Sequence, residues 1–258
     1  NRRIIRRTHI IMSKFSIGLL VALALSLPAT QSRAQSGVLK SIIEDISDSV
    51  EKVKEVDDLA NRKNALRKVL DFSISRTENF YNRLKNLEGL EPGFVDLRES
   101  LLSSLEKFLA YYENALAALE EAREAAVVKQ IGVEIKNWRN EIFNPGIEKV
   151  IDFLLVFQGE EFLELANNRF ERISGDLNRL KDIKLLKKFR LQGLLGSSSA
   201  DLKQAKELIS EAKEILLSAS DEEPENSIQD LVELTLVKIK SAYKKFLEIN
   251  AQLKELLQ

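Results

Sequence analysis

Apolar side chains recur along this chain at steps of three and four, the spacing that keeps one face of an α-helix buried. Leu39, Ile42, Ile46, Val50, Val53 and Val56 keep that step. After a looser stretch at Asn61-Arg62-Lys63-Asn64 it resumes with Leu66, Val69, Leu70, Phe80, Leu84 and Leu87. The pattern predicts a first helical segment over 38–87, with room for a kink or short turn near residue 62. Gly89, Pro92 and Gly93 should end it, since glycine and proline are the poorest interior helix residues. Asp96, with Glu99 three residues on, has the form of a capping box and opens a second helix. Its stripe is Leu101, Leu105, Phe108, Tyr112, Leu116 and Leu119, with Ile135, Trp138 and Ile142 near its far end. Asn144-Pro145 should stop that helix and start a third, Asn144 serving as cap and Pro145 as first residue.

The third helix carries the densest apolar run, Val150 to Phe157, interrupted only by Asp152 and followed by Phe162 and Leu163. Such a run covers more than one helix face. It fits a helix enclosed by others at the centre of a bundle; the alternative is an open surface for a partner or a lipid. Phe153, Leu155, Phe157, Phe162 and Leu163 are the candidate binding residues under the second reading. Gly193 to Ser199 reads as a glycine-serine linker. Beyond it Leu202, Ala205, Ile209, Ala212, Leu216 and Ala219 form a narrow seam suited to close antiparallel packing. Ser220 to Ser227 is an acidic loop without the ligand spacing of a calcium-binding EF-hand. The last helix places Val232, Leu236, Ile239, Tyr243, Phe246, Asn250, Leu253 and Leu257 on one seam, with Asn250 as its polar, register-setting member. The fold class expected is all-α: an elongated bundle of about five helices with coiled-coil-like seams.

Residues 12–34 break this pattern and have the three parts of a secretory signal. Lys14 supplies positive charge, Phe15 to Leu27 is apolar, and Pro28 ends the run. Ser32 and Ala34 place small residues three and one before a cut between Ala34 and Gln35. Thirteen residues of helix span ~20 Å, short of the ~30 Å hydrocarbon core, which argues against an uncleaved anchor. Met12 is the only methionine, so residues 1–11 read as an upstream extension. Arg6-Arg7 leave a twin-arginine export signal as the competing reading. The expected address is exported, periplasmic or extracellular, with no integral membrane span after cleavage. The remainder divides into helical units 35–144 and 145–258, packed together.

Composition then removes most chemistries. Residues 1–34 hold six basic side chains and no acidic one, so cleavage moves the net charge from −1 to −7. An acidic surface disfavours nucleic acid and anionic membranes. There is no cysteine, and His9 and Met12 are the only residues of their types. Thiol and imidazole catalysis, zinc sites of the His/Cys kind and haem ligation therefore all lack their ligands beyond residue 34. No cofactor, metal site or enzymatic activity is expected.

Three short segments resemble one another. Asn82-Arg-Leu-Lys-Asn-Leu87 matches Asn178-Arg-Leu-Lys-Asp-Ile183, Asp96-Leu-Arg98 matches Asp201-Leu-Lys203, and Val133-Glu-Ile-Lys136 matches Val237-Lys-Ile-Lys240. They leave open a duplicated helical unit. An Asn-Arg-Leu helix end, a glycine-bearing turn, Asp-Leu, and a seam such as Ala205 to Ile215 resemble the exported helical domains of unknown function found in uncultured bacteria, over roughly residues 70–255. The chain also resembles small periplasmic helical chaperones in address and fold class, without their Leu-Thr-x-x-Gln repeats. The resemblance implies a cell-envelope or secreted protein with no assigned activity. The function expected is a non-enzymatic interaction, spacer or scaffold protein that binds a protein partner or itself. The alternative is a carrier or holdase binding lipid or unfolded chains through 150–163.

Overall fold

The computed structural model describes residues 59–179, 185–218 and 226–257, all within the larger of two compact units, 42–258. The expected helix over residues 38–56 and the Ala34–Gln35 cleavage site lie outside the described residues. The described chain is an all-α bundle of six α-helices: α1 (Leu59–Lys85), α2 (Pro92–Glu121), α3 (Ala125–Trp138), α4 (Asn144–Arg179), α5 (Leu185–Leu217) and α6 (Ile228–Leu257). A π-helical turn, Arg139–Phe143, joins α3 to α4, so five helical rods result.

Helix α1 runs without a break through Asn61–Asn64, where the spacing left room for a kink or short turn. Lys63 is anchored there, its ammonium donating to the carbonyls of Glu120 (2.8 Å) and Ala122 (3.1 Å), with Arg67 paired to Glu120 beside it. The turn after α1 uses Gly89 at φ +71°, a conformation that suits glycine, and Arg98 closes it by donating to the Leu87 carbonyl at 2.9 Å. Asp96 does not cap α2. The helix starts four residues earlier at Pro92, because proline's preset φ suits the first turn and its missing N–H costs nothing there.

The expected long second helix ends at Glu121. Ala122 and Glu124 are extended, with ψ of 124° and 142°, before α3 begins. Between Leu119 and Val127 the chain offers only alanines to a core, so that stretch has little to hold it as helix. By contrast, the expected stop at Asn144-Pro145 is absent. Asn144 is helical at φ −61°, ψ −48°, and its N–H reaches back five residues to the Arg139 carbonyl. The wide turn accommodates a proline that cannot donate and whose ring would press on the preceding turn.

Gly193–Ser199 is likewise helix rather than linker, inside α5. Leu191, Ser198, Leu202 and Ala205 are buried, and Ser198 donates to the Leu194 carbonyl at 2.8 Å. Lys245 of α6 bonds both the Ser197 carbonyl (3.1 Å) and Asp201 (2.5 Å), so packing against α6 overrides poor helix propensity. On α6 the buried seam is Leu231, Thr235, Ile239, Ala242, Phe246, Ile249 and Leu253. Asn250 lies at its edge, half-buried, and the polar seam member is Thr235, which donates to the Leu231 carbonyl. Ser227 caps α6, its hydroxyl accepting from the Asp230 N–H at 3.1 Å.

The helices pack as two sets of three. Helices α1, α2 and α3 contact one another, as do α4, α5 and α6, and the continuous run 125–179 belongs to both sets. Helix order repeats, yet the three short sequence matches do not mark equivalent places. Asp96 sits near the start of α2 and Asp201 in the middle of α5.

Two glycines set how closely the helices approach. A Cβ on Gly146 would lie 2.5 Å from Phe108 Cζ, and one on Gly159 would lie 2.8 Å from Ile209 Cδ1. The Phe108 ring is wedged among Trp138 and Phe143 at 5.6 and 5.3 Å, whereas an isoleucine tip can turn aside. Gly146→Ala should therefore cost about 1–3 kcal/mol in urea unfolding despite alanine's better helix propensity. Gly159→Ala should cost distinctly less.

Candidate functional site

The apolar run of α4 turns mostly inward. Phe153 is fully buried, its ring 4.8 Å from Phe157 and 6.4 Å from Phe94 of α2. Phe157 is half-buried against Phe94 at 5.2 Å, with the Lys213 ammonium 5.3 Å from its ring. Leu155 is half-buried against a cluster of Val156, Ile209, Ala212, Leu231 and Val232. Leu163 is buried with Ala166, Ala205 and Ile239, and Phe162 packs on the margin of that group. The five candidate residues are thus divided among three packing environments and do not line one groove.

Lys213 joins the two helix sets. Its ammonium bonds Glu160 at 2.6 Å, approaches Glu91 at the start of α2 at 3.7 Å, and lies over both Phe94 and Phe157. Its side chain is 15% exposed, so these interactions are less screened than those of a surface pair.

The densest polar chemistry within the core lies at the π turn. Val128, Ile131 and Ile135 lead along the buried stripe of α3 to Arg139, which is 8% exposed. Its Nη1 donates to Ser73 Oγ of α1 (3.0 Å) and to Tyr112 Oη of α2 (2.9 Å). The guanidinium also stands 4.9 Å over the Phe143 ring, a cation–π contact. Ser73 spends its own hydrogen on the Val69 carbonyl at 2.8 Å. Around this core Tyr111 stacks on Trp138 at 3.8 Å, with Phe108 and Phe143 edge-on or tilted nearby. Arg76 of α1 is close enough to feel the charge: its pKa is lowered by burial and then by Arg139. No ion pair to a carboxylate involves Arg76 or Arg139 among the described residues.

Tyr112 is fully buried, and burial pushes its phenol up to about 12, against the opposing pull of Arg139 and Ser73. A phenol held neutral in this way is a hydrogen-bonding post, not a base. Elsewhere on α4, Asp152 is raised by burial despite accepting from Gln229 at 3.2 Å. Among the described residues no group of three or more His, Cys, Asp and Glu side chains could hold a metal ion. No helix there is long and apolar enough to cross a membrane. Sequence spacing alone does not single out the π-turn constellation; its one local signal is Arg139 at an apolar-stripe position. No protein-family model, curated protein or solved structure matches the chain.

Tyr112→Phe removes an acceptor from a buried cation and should cost about 1–3 kcal/mol near neutral pH. The raised phenol pKa contributes stability that is complete below the unfolded value of 10.0 and is lost as pH climbs toward about 12. Urea unfolding at rising alkaline pH should therefore show the gap between wild type and Tyr112→Phe narrowing over that window. A constant gap would contradict the burial of the phenol.

Proposed function

We propose that the protein is a non-enzymatic interaction, spacer or scaffold protein exported to the bacterial cell envelope, engaging a protein partner or a second copy of itself. The observation that carries this reading is the enclosure of the α4 run, where Phe153 and Val156 are fully buried and Leu163 nearly so. A carrier would keep such residues available to cargo, whereas a scaffold uses them to hold its helices in place. The helix shared between the two sets supports the same reading, since it couples them through one backbone. The apolar stretch after Lys14 and the small residues Ser32 and Ala34 support the address.

The test is expression from Met12 in a bacterium, followed by purification of the exported product. Its intact mass should correspond to a chain beginning at Gln35. It should carry no stoichiometric lipid by mass spectrometry of an organic extract, and barely brighten the dye ANS. Leu155→Ser should lower its stability, because a polar group in that half-buried cluster lacks a partner. Retention of residues 12–34 in the exported product would overturn the cleavage, and a product found only in the cytoplasm would overturn the address. Bound lipid, or strong dye binding abolished by a Leu155→Ser variant that melts like wild type, would replace the scaffold with the carrier.

A further inference from the structure

The second helix set provides an internal comparison for the π-turn site. Stepping 93 residues on from α1 to α4 pairs five of its seven buried positions with buried ones, among them Leu66 with Gly159, Leu70 with Leu163, Phe80 with Ile173 and Leu84 with Leu177. Val69 and Thr77 fall on half-buried Phe162 and Phe170. The same step from α2 to α5 pairs Leu105 with Ser198 and Leu119 with Ala212 but sets Leu101, Leu102 and Phe108 against half-buried residues. A step of 100 from α3 to α6 pairs Ile131 with Leu231 and Ile135 with Thr235. At these steps Ser73, Tyr112 and Arg139 correspond to Ala166, Ala205 and Ile239. All three of those residues are buried in one apolar cluster. The same helix order therefore packs with hydrocarbon where the first set places a cation and two hydroxyls.

A buried guanidinium is costly unless it is paired, and an apolar filling of such a site is often as stable or more so. Holding the triad together thus asks for a reason beyond packing. Nη1 is committed to Ser73 and Tyr112, while Nε and Nη2 of Arg139 have no protein acceptor among the described residues. Arg76, half-buried and resting over the Phe80 ring at 5.5 Å, adds a second cation, again without a carboxylate among the described residues. Arg76 lies three residues beyond Ser73 on α1, and Ser73 is bonded by Arg139. Two cations that share no acid among the described residues thus stand on either side of one place. They offer donors to an oxyanion, which planar guanidinium forks bind through paired N–H groups.

We infer that Arg139 and Arg76 form an oxyanion-binding site at the π turn, taking a phosphate or carboxylate group either as a free ion or as the head of an anionic lipid. The site does not depend on the export or scaffold reading, and Ser73 and Tyr112 position Arg139 within it. The chain's single tryptophan reports on it directly, because Trp138 adjoins Arg139 in sequence and its ring lies 5.8 Å from Phe143, over which the guanidinium sits.

Trp138 fluorescence is titrated with inorganic phosphate, with acetate, and with vesicles of phosphatidylglycerol, each against chloride at matched ionic strength. Wild type should respond saturably to at least one, with a half-point for the free ions of about 1 mM or below. The probe that acts identifies the source of the group. The variant Ser73→Ala/Tyr112→Phe/Arg139→Met, which imitates the apolar second set, should lose the response while keeping its helical circular dichroism. Arg76→Gln, altering only a half-buried flank, should weaken binding by about tenfold or more. It carries the test if the triple variant does not fold. Absence of any wild-type response up to about 100 mM ion and with vesicles would overturn the site, as would an Arg76→Gln or folded triple variant that responds like wild type.

Discussion

Pro145 has no N–H to give and needs room on the turn before it, yet the helix passes straight through it. The arrangement of the bundle depends on how the backbone absorbs that proline. The Arg139–Phe143 segment widens by one residue per turn, and the Asn144 N–H closes onto the Arg139 carbonyl. Had the helix stopped here, α1–α3 and α4–α6 would be two bundles joined by a linker and by side-chain contacts alone. Because it continues, a single backbone serves as the third helix of one set and the first of the next.

The same turn brings a charged side chain into the core. Arg139 begins the π segment and takes a position that its stripe would otherwise give to an aliphatic residue. Its hydrogen bonds to Ser73 and Tyr112 connect all three rods of the first set, and the aromatic group of Tyr111, Trp138 and Phe143 surrounds it. Beyond the shared helix, the sets meet at Lys213. There one ammonium is held between Glu160 and Glu91 and over two phenylalanine rings, tying the end of α5 to the start of α2. Covalent continuity and this contact act at different places, so neither alone determines how the sets are joined.

Helical class and most core positions were legible because three-and-four spacing is a local signal that survives whatever the tertiary arrangement is. Helix ends were less so, for specific reasons. Gly193–Ser199 looked like a linker because propensity is local, while the burial of Ser198 and the Lys245 bonds that keep it helical come from α6. Asn144-Pro145 looked like a stop because no sequence rule announces a π turn. The break at Ala122–Glu124 has neither proline nor glycine, and the carbonyls of Glu120 and Ala122 that it leaves open are met by Lys63, some sixty residues earlier. Tyr112 was legible as core, and Arg139 was visible as a charge on an apolar stripe. Ser73 carries no such signal, since its part follows only from the register of α1 against the π turn.

Amide hydrogen exchange across residues 139–150 tests the shared helix most directly. A continuous helix requires that Ile142, Phe143, Asn144 and Ile147 exchange slowly, with protection comparable to that of Ile135 on one side and Phe153 on the other, because opening there disrupts packing in both sets. Exchange at these amides as fast as in an unstructured chain, with protection resuming separately before Arg139 and after Val150, would mean that the two sets are joined by a loop and that the continuity of α3 with α4 is wrong.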